Sequence, residues 1–179
     1  MLKLQINENT LWNEKKEEFI DIPKTTLQLE HSLVSLSKWE SKTHKPFLTT
    51  KLDNEETLEY VKCMIITPNN VDPNVVYGLT NKNIIEIKNY ITDPMTATWF
   101  NDTKDEKSKE IITSEIIYYW MISLQIPFEC QKWHLNRLLT LIRVCNEKNA
   151  PEKKMSKNEI MARNRALNEQ RKAKYKSKG

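Results

Sequence analysis

Glycine is almost absent from this chain, which has only Gly78 and the terminal Gly179 among its 179 residues. Phosphate-binding loops of the Walker and Rossmann types need several closely spaced glycines, because the backbone must turn sharply and approach the phosphates. The shortage of glycine excludes both kinds of nucleotide site.

Cysteine is also scarce, with three residues that include no CxxC spacing: Cys63, Cys130 and Cys145. An odd number without paired spacing is not a disulfide framework. The start of the sequence, MLKLQINENT, has neither the basic segment nor the apolar segment of a secretion signal. These features predict a cytosolic protein with reduced thiols.

Long hydrophobic runs are missing as well. The most apolar stretch, residues 116–128, is interrupted by Ser123, Gln125 and Pro127. It falls short of the ~18–20 apolar residues that a membrane span requires. No membrane interaction is predicted.

Recognisable catalytic and metal-binding motifs are lacking. Cys130 and His134 lie four residues apart, which would place them on one helical face as half of a metal or thiolate–imidazole site. The remaining histidines, His31 and His44, fall in unrelated elements. A buried cysteine and a histidine bonded to its neighbours is the simpler interpretation. The sequence therefore predicts no enzyme, no metal and no cofactor.

Charge is distributed unevenly along the chain. Residues 148–179 contain eleven lysines and arginines against three glutamates, although the net charge of the whole chain is only +4. A mildly acidic body thus carries a basic tail. Such a tail suits a solvated helix, an acidic protein partner or nucleic acid, and the single aromatic residue Tyr175 provides no stacking platform for nucleic acid.

The pattern of apolar and polar residues along the chain predicts an α+β fold that is mainly α. A short N-terminal antiparallel β-ribbon or meander is expected over residues 1–31, a helical body over 32–149 and a projecting basic helical tail over 150–179. Three strands are indicated by apolar residues that alternate with polar ones or lie before a proline, namely residues 2–6, 19–22 and 27–29.

Helix starts are marked by residues whose side chains can accept a hydrogen bond from the first turn. Ser32, Asn54 and Thr80 each precede a helical pattern, and Ser156 with Glu159 forms a capping box for the last helix. That last helix has few large apolar residues, so it is expected to be only marginally stable alone.

The sequence also predicts where four aromatic side chains lie. Trp39 and Trp120 are predicted to lie in the core. Trp99 and Phe100 fall in a polar excursion over residues 95–109 and are predicted to be tucked against the body.

The most informative stretch is a predicted helical hairpin whose two segments meet at Pro127. The first segment, residues 116–124, is apolar on almost every side, which predicts a central core helix. The second is predicted to carry a polar stripe along one helix, flanked by an apolar surface wider than the ~100° that a surface helix buries; the stripe comprises Glu129, Lys132, Asn136, Thr140, Arg143 and Glu147. Complete burial and a ridge left for another chain both remain open.

Three parts of the sequence resemble a protein family of tailed bacteriophages. They are residues 35–42 with 45–48, residues 111–121 with 126–139, and residues 153–156 with 163–171. The stretch IPFECQKWHLNRLL is the most specific of them, and the resemblance spans most of residues 30–179. The chain is similar in these parts to small tail proteins of the tail assembly chaperone type.

The resemblance implies a non-enzymatic helper in the bacterial host cytoplasm. It would bind the long, helix-forming tape measure protein, keep it soluble and help tail tube protein to polymerise around it. The expected contact residues are Trp133, Arg137, Leu141 and Val144, with Arg163 and Arg171 of the tail supplying electrostatic attraction.

Two other functions remain open at this point. A structural tail or baseplate component would use the same surfaces permanently and would be found in the virion tail. A small nucleic-acid-binding accessory protein would act through the basic tail and bind with strong salt dependence. The apolar ridge could also pair with a second copy of the chain in a homo-oligomer.

Overall fold

The computed structural model describes residues 1–13, 17–67, 71–100, 111–150 and 157–175. Four strands in two small antiparallel sheets precede six α-helices, so the predicted fold class, α+β and mainly α, is confirmed. The elements are β1 (Leu2–Ile6), β2 (Asn9–Asn13), β3 (Glu18–Ile22), β4 (Thr25–Leu29), α1 (Leu33–Thr43), α2 (Asn54–Met64), α3 (Asn81–Thr92), α4 (Ser114–Ser123), α5 (Leu135–Asn149) and α6 (Lys157–Tyr175), with short 3₁₀ helices at Pro73–Gly78 and Phe128–Lys132.

The chain divides into two compact units, Met1–Glu147 and Lys148–Gly179. The first unit contains the strands and most of the helical residues. The second contains α6. The predicted boundaries at residues 31 and 149 stay a prediction.

The four strands form one long antiparallel ribbon rather than a meander. β1 pairs with β4 and β2 pairs with β3, and the residue numbers of every directly paired couple sum to 31. The pairing is interrupted at residues 7–8 and 23–24, where Pro23 has no N–H to donate. β2 was not predicted, because its asparagines and threonine leave no alternation of apolar and polar residues.

The two halves of the ribbon bury opposite faces. In the first half the Leu4–Leu27 pair faces the core, whereas beyond the interruption the half-buried Leu11–Ile20 pair does so. The register is unchanged across the interruption, so the inward side must switch faces there. The Trp12–Phe19 pair is left exposed, with ring centroids 4.8 Å apart.

Gly78 permits the ribbon to pack closely on the 3₁₀ helix that precedes α3. A Cβ atom at this position would lie 3.0 Å from Cγ2 of both Ile6 and Ile22. Any larger residue would therefore push these two isoleucines apart. One of the two glycines is thus explained by close packing.

Helix starts follow local capping chemistry. Ser32 and Thr80 cap α1 and α3, as predicted, and each takes part in a capping box. The predicted cap of α2 was wrong by one residue, because Asp53 rather than Asn54 accepts the N–H of Glu56, at 2.7 Å. The carboxylate at this position also suits the positive end of the helix.

Two hydrophobic cores share α1. The ribbon core contains the inward residues of the strands, Trp39, and apolar residues of α2, the 3₁₀ helix Pro73–Gly78 and α3. The hairpin core contains Leu33 and Leu36 of α1 together with apolar residues of α4 and α5. Phe47, in the loop after α1, packs against both cores. Trp39 is fully buried, as predicted, while Trp120 is only half-buried.

The hairpin is interrupted more than the sequence indicated. The predicted continuous helix from residue 129 to 147 was wrong, because α5 begins only at Leu135. The Leu135 N–H donates to the carbonyl of His31 at 2.7 Å, and His134 forms a β-bridge with Ser32. These backbone bonds to a distant segment replace helical ones, so Glu129 and Lys132 lie off the stripe that continues on α5.

Candidate protein-binding surface

A polar seam lies inside the first unit, among elements that contribute to both cores. It consists of the buried polar residues of the described chain: His31, Ser32, Ser35, Glu40, Ser114 and His134. Buried polar groups are costly unless they are hydrogen-bonded. Ser32 and Ser35 bond each other at the start of α1, whereas His31, Glu40 and His134 each bond a distant element.

His31 occupies the junction between β4 and α1. Its Nδ1 lies 2.5 Å from the hydroxyl of Tyr60 on α2. Burial, and secondarily the nearby His134, lowers the pKa of His31 to about 3. Burial also raises the pKa of Tyr60 above its usual range. Both groups are therefore neutral at neutral pH.

His134 joins α5 to the end of α3. Its Nε2 donates to the carbonyl oxygen of Tyr90 at 2.9 Å, since a carbonyl can only accept. Burial lowers the pKa of this imidazole, although the Tyr90 carbonyl, Glu30 and Asp93 favour its charged form. In the neutral ring Nδ1 carries no proton, and it has no hydrogen-bond partner among the described residues.

The two histidines lie side by side, with ring centroids 5.1 Å apart. His31 belongs to a different element from His134, as predicted, but the fold brings the two rings together. Cys130 and His134 do not share a helical face, because Cys130 lies in the 3₁₀ helix and His134 lies before α5. Each is buried, and His134 bonds a neighbour as the simpler interpretation held.

Glu40 joins α1 to the start of α4. One carboxylate oxygen accepts the N–H of Phe47 at 2.9 Å, and the other accepts the N–H of Ser114 at 2.8 Å. Ser114 is the first residue of α4, where unpaired N–H groups and the helix dipole favour a negative charge. The buried carboxylate thus supplies the cap that Thr113 does not provide by its side chain.

Asn136 fastens α5 to the same end of α3. Its Nδ2 donates to the carbonyls of Ile91 at 3.0 Å and Asp93 at 2.7 Å. These carbonyls belong to the last turn of the helix and the residue after it, where backbone acceptors lack helical partners. The polar stripe predicted on α5 therefore begins with a structural residue.

The chemistry of the described residues provides no metal centre. No group of three or more His, Cys, Asp or Glu residues within this part of the chain could hold a metal ion. All three cysteines are free, and burial raises the pKa of the Cys63 thiol. The described helices are each too short or too polar to cross a bilayer.

The predicted contact residues are brought together as a ridge, which comprises Trp133 and the α5 residues Arg137, Leu141 and Val144. The guanidinium of Arg137 lies over the Trp133 ring, 4.2 Å from its centroid. Trp133 and Leu141 are half-buried against the hairpin core, Val144 is half-buried and Arg137 is exposed. The ridge is thus partly packed and partly accessible.

A more exposed apolar surface, here called the outer patch, comprises Tyr119, Ile122 and Phe128. Their side chains are 65%, 61% and 53% exposed. Tyr119 and Ile122 are neighbours on one face of α4. Tyr118 lies one turn before Ile122, and its ring centroid is 6.4 Å from that of Phe128.

The outer patch corrects the prediction that α4 is a central core helix. Only one side of this short helix faces the core, through Ile117 and Met121. Because almost every α4 residue is apolar, periodicity in the sequence could not identify the outward side. The excess of apolar residues was the available signal, and the sequence analysis placed it on the second segment of the hairpin.

The two aromatic residues predicted in the polar excursion, Trp99 and Phe100, differ in exposure. Trp99 is 87% exposed, so the prediction that it is tucked against the body was wrong. Phe100 is half-buried, and the Arg143 guanidinium lies 3.9 Å from its ring centroid. Phe100 thus packs as predicted.

The tail contains α6, whose side chains are exposed wherever they are described. Arg163 and Arg171, the predicted tail contacts, lie on this helix. The predicted capping box at Ser156 and Glu159 lies outside the residues whose side chains are described.

Comparison of the chain with protein-family models, curated proteins and solved structures found no match in any of the three. The surface chemistry of the hairpin therefore carries the functional argument.

Proposed function

We propose that this protein is a non-enzymatic phage tail assembly chaperone that binds the tape measure protein and promotes assembly of the tail tube around it. The observation that carries the proposal is the outer patch, a run of exposed aromatic and aliphatic side chains on a helical hairpin. Exposed apolar patches of this kind favour protein interaction sites. The sequence resemblance supplies the identity of the partner.

The outer patch suits a helical partner. An amphipathic helix buries side chains that recur every three or four residues, and Tyr119 and Ile122 are spaced in this way on α4. Burying them would remove apolar surface from water at about 25 cal/mol per Å². A long helical protein that exposes its apolar stripe before assembly would gain solubility from such a contact.

The ridge would widen the contact. Arg137 stacked on Trp133 presents a flat cation and aromatic pair, and both residue types are common at binding hot spots. Leu141 and Val144 extend this line along α5. The ridge is proposed as the secondary contact because three of its four side chains are already half-buried.

Affinity capture from phage-infected cells tests the proposal, with the full chain as bait and mass spectrometry of the captured proteins. Recovery of the tape measure protein as the main partner is the expected result. Capture that lacks the tape measure protein would contradict the proposal.

The same preparation distinguishes a chaperone from a structural component. Purified mature particles should contain little or none of the protein, because a chaperone leaves before the tail is complete. Abundant protein in the particles would assign it to the tail or baseplate instead.

A further inference from the structure

Some side chains of the basic helix α6 recur at a regular spacing that a fully solvated helix does not require. Five exposed residues, Ile160, Asn164, Leu167, Arg171 and Lys174, are spaced by alternating steps of four and three. This is the spacing of the contact line of a coiled coil. The line has an apolar first part and a cationic last part.

We propose that this line, here called the heptad line, pairs with an acidic helix of another protein. Ile160 and Leu167 would pack against apolar side chains of the partner, and Arg171 and Lys174 would face its aspartates or glutamates. Ile160 and Leu167 are 45% and 39% exposed, so the surface is accessible. The proposal concerns a site separate from the hairpin and does not depend on the proposed function.

Pairing with a second copy of α6 satisfies the charges poorly. In a parallel pair Arg171 would face the same arginine of its copy, and like charges at such positions are destabilising. In an antiparallel pair centred on Leu167, Lys174 would face Ile160 and gain no anion. A partner with carboxylates at these positions provides what both arrangements lack.

Nucleic acid would use the helix differently. Phosphates are neutralised by any nearby lysine or arginine, and apolar side chains contribute little to that contact. Arg165, whose Nε lies 3.9 Å from Oε1 of Glu169, and Lys172 lie off the heptad line, and both would also neutralise phosphates. Removing charge from the heptad line or from positions off it therefore distinguishes an acidic helix from nucleic acid as the ligand.

The marginal stability of the isolated helix adds a second consequence. Helices of this length gain most of their stability in proteins from packing of an apolar face. Binding of an acidic helix should therefore increase the helix content of the full chain, as measured by circular dichroism of the complex relative to its parts.

The test uses the full chain and labelled synthetic helices, with fluorescence anisotropy at low salt. One peptide carries leucines opposite Ile160 and Leu167 and glutamates opposite Arg171 and Lys174. The matched peptide carries lysines in place of the glutamates. A DNA duplex is the third ligand. The chain should bind the glutamate peptide, with a rise in helix content, more tightly than it binds the duplex, and should not bind the lysine peptide.

Two double variants remove equal charge from α6. Arg171→Gln with Lys174→Gln should weaken binding of the glutamate peptide about fivefold, whereas Arg165→Gln with Lys172→Gln should weaken it less than about twofold. These exposed positions should leave the melting temperature of the first unit unchanged. Equal losses in the two variants, tighter binding of the duplex or no binding of the glutamate peptide would overturn the proposal. None of these outcomes depends on capture by the hairpin, which contributes no residue to the line.

Discussion

The polar seam and the outer patch use side chains in opposite ways within the same unit. The seam buries two histidines, a glutamate and three serines, whereas the outer patch leaves a tyrosine, an isoleucine and a phenylalanine largely in water. Burial of the seam is balanced by specific hydrogen bonds between distant elements. Substitutions in the seam should therefore reduce stability, and substitutions in the patch should reduce binding with little change in stability.

The largest loss of stability is expected for Glu40→Ala. The substitution leaves the N–H groups of Phe47 and Ser114 without their carboxylate partner, which should cost about 3 kcal/mol of unfolding free energy. Urea unfolding followed by circular dichroism measures this loss. Glu115→Ala removes an exposed carboxylate from the same first turn of α4 and should cost only about 0.5 kcal/mol. Similar losses in the two variants would show that Glu40 does not join the elements.

The second largest loss of stability is expected when acid protonates the polar seam. The pKa of His31 is about 3 in the folded chain and 6.5 in the unfolded one, so the unfolded chain binds more protons between these values. The contribution is complete above pH 6.5 and is lost as the pH falls toward 3. His31 alone should cost about 2 kcal/mol of unfolding free energy between pH 7 and pH 5.

The pH effect can be assigned to the buried ring by two histidine variants. His31→Asn keeps a short polar side chain beside Tyr60 but removes the proton-binding group, so the fall in stability between pH 7 and pH 5 should become shallower. His134, whose pKa is also lowered, should retain part of the fall. His44→Asn changes an exposed histidine with φ of 54°, a backbone conformation that asparagine tolerates. A variant at position 31 with the unchanged slope of the parent would refute the assignment.

A smaller loss is expected at the contact between α5 and α3. Asn136→Ala removes two hydrogen bonds to the end of α3 and should lower the unfolding free energy by about 1–2 kcal/mol. Asn146→Ala, at an exposed position of α5, should have no destabilising effect, because alanine favours helix. If both asparagines could be replaced without loss, the end of α3 would not need this partner.

Local chemistry explains the parts of the fold that sequence could predict. Ser32 and Thr80 mark helix starts because their capping bonds lie within one turn of the chain. Alternation in β1 and β4 is visible because one side faces the core. β2 lacks that alternation, and the start of α5 at Leu135 depends on a backbone bond to His31.

The sequence could not predict the polar seam, because its hydrogen bonds join residues that are far apart in the chain. Glu40 and Ser114 are 74 positions apart, and nothing near either residue indicates the other. The exposed side of α4 could not be predicted for another reason, since a helix that is apolar on every side carries no periodic signal. Of the ridge residues, Arg137 stacks on Trp133, and the role of the ridge in binding stays a prediction.

A matched pair of isoleucine variants tests the role of the outer patch most directly. Ile122 on α4 and Ile85 on α3 are 61% and 58% exposed on helices, so Ile122→Ser and Ile85→Ser should each change the unfolding free energy by no more than about 0.5 kcal/mol. Each variant is used as bait for the tape measure protein from infected cells, beside the parent chain. We expect Ile122→Ser to lose most of the captured protein and Ile85→Ser to retain it. Equal capture by Ile122→Ser and the parent would contradict the assignment of the outer patch as the binding surface.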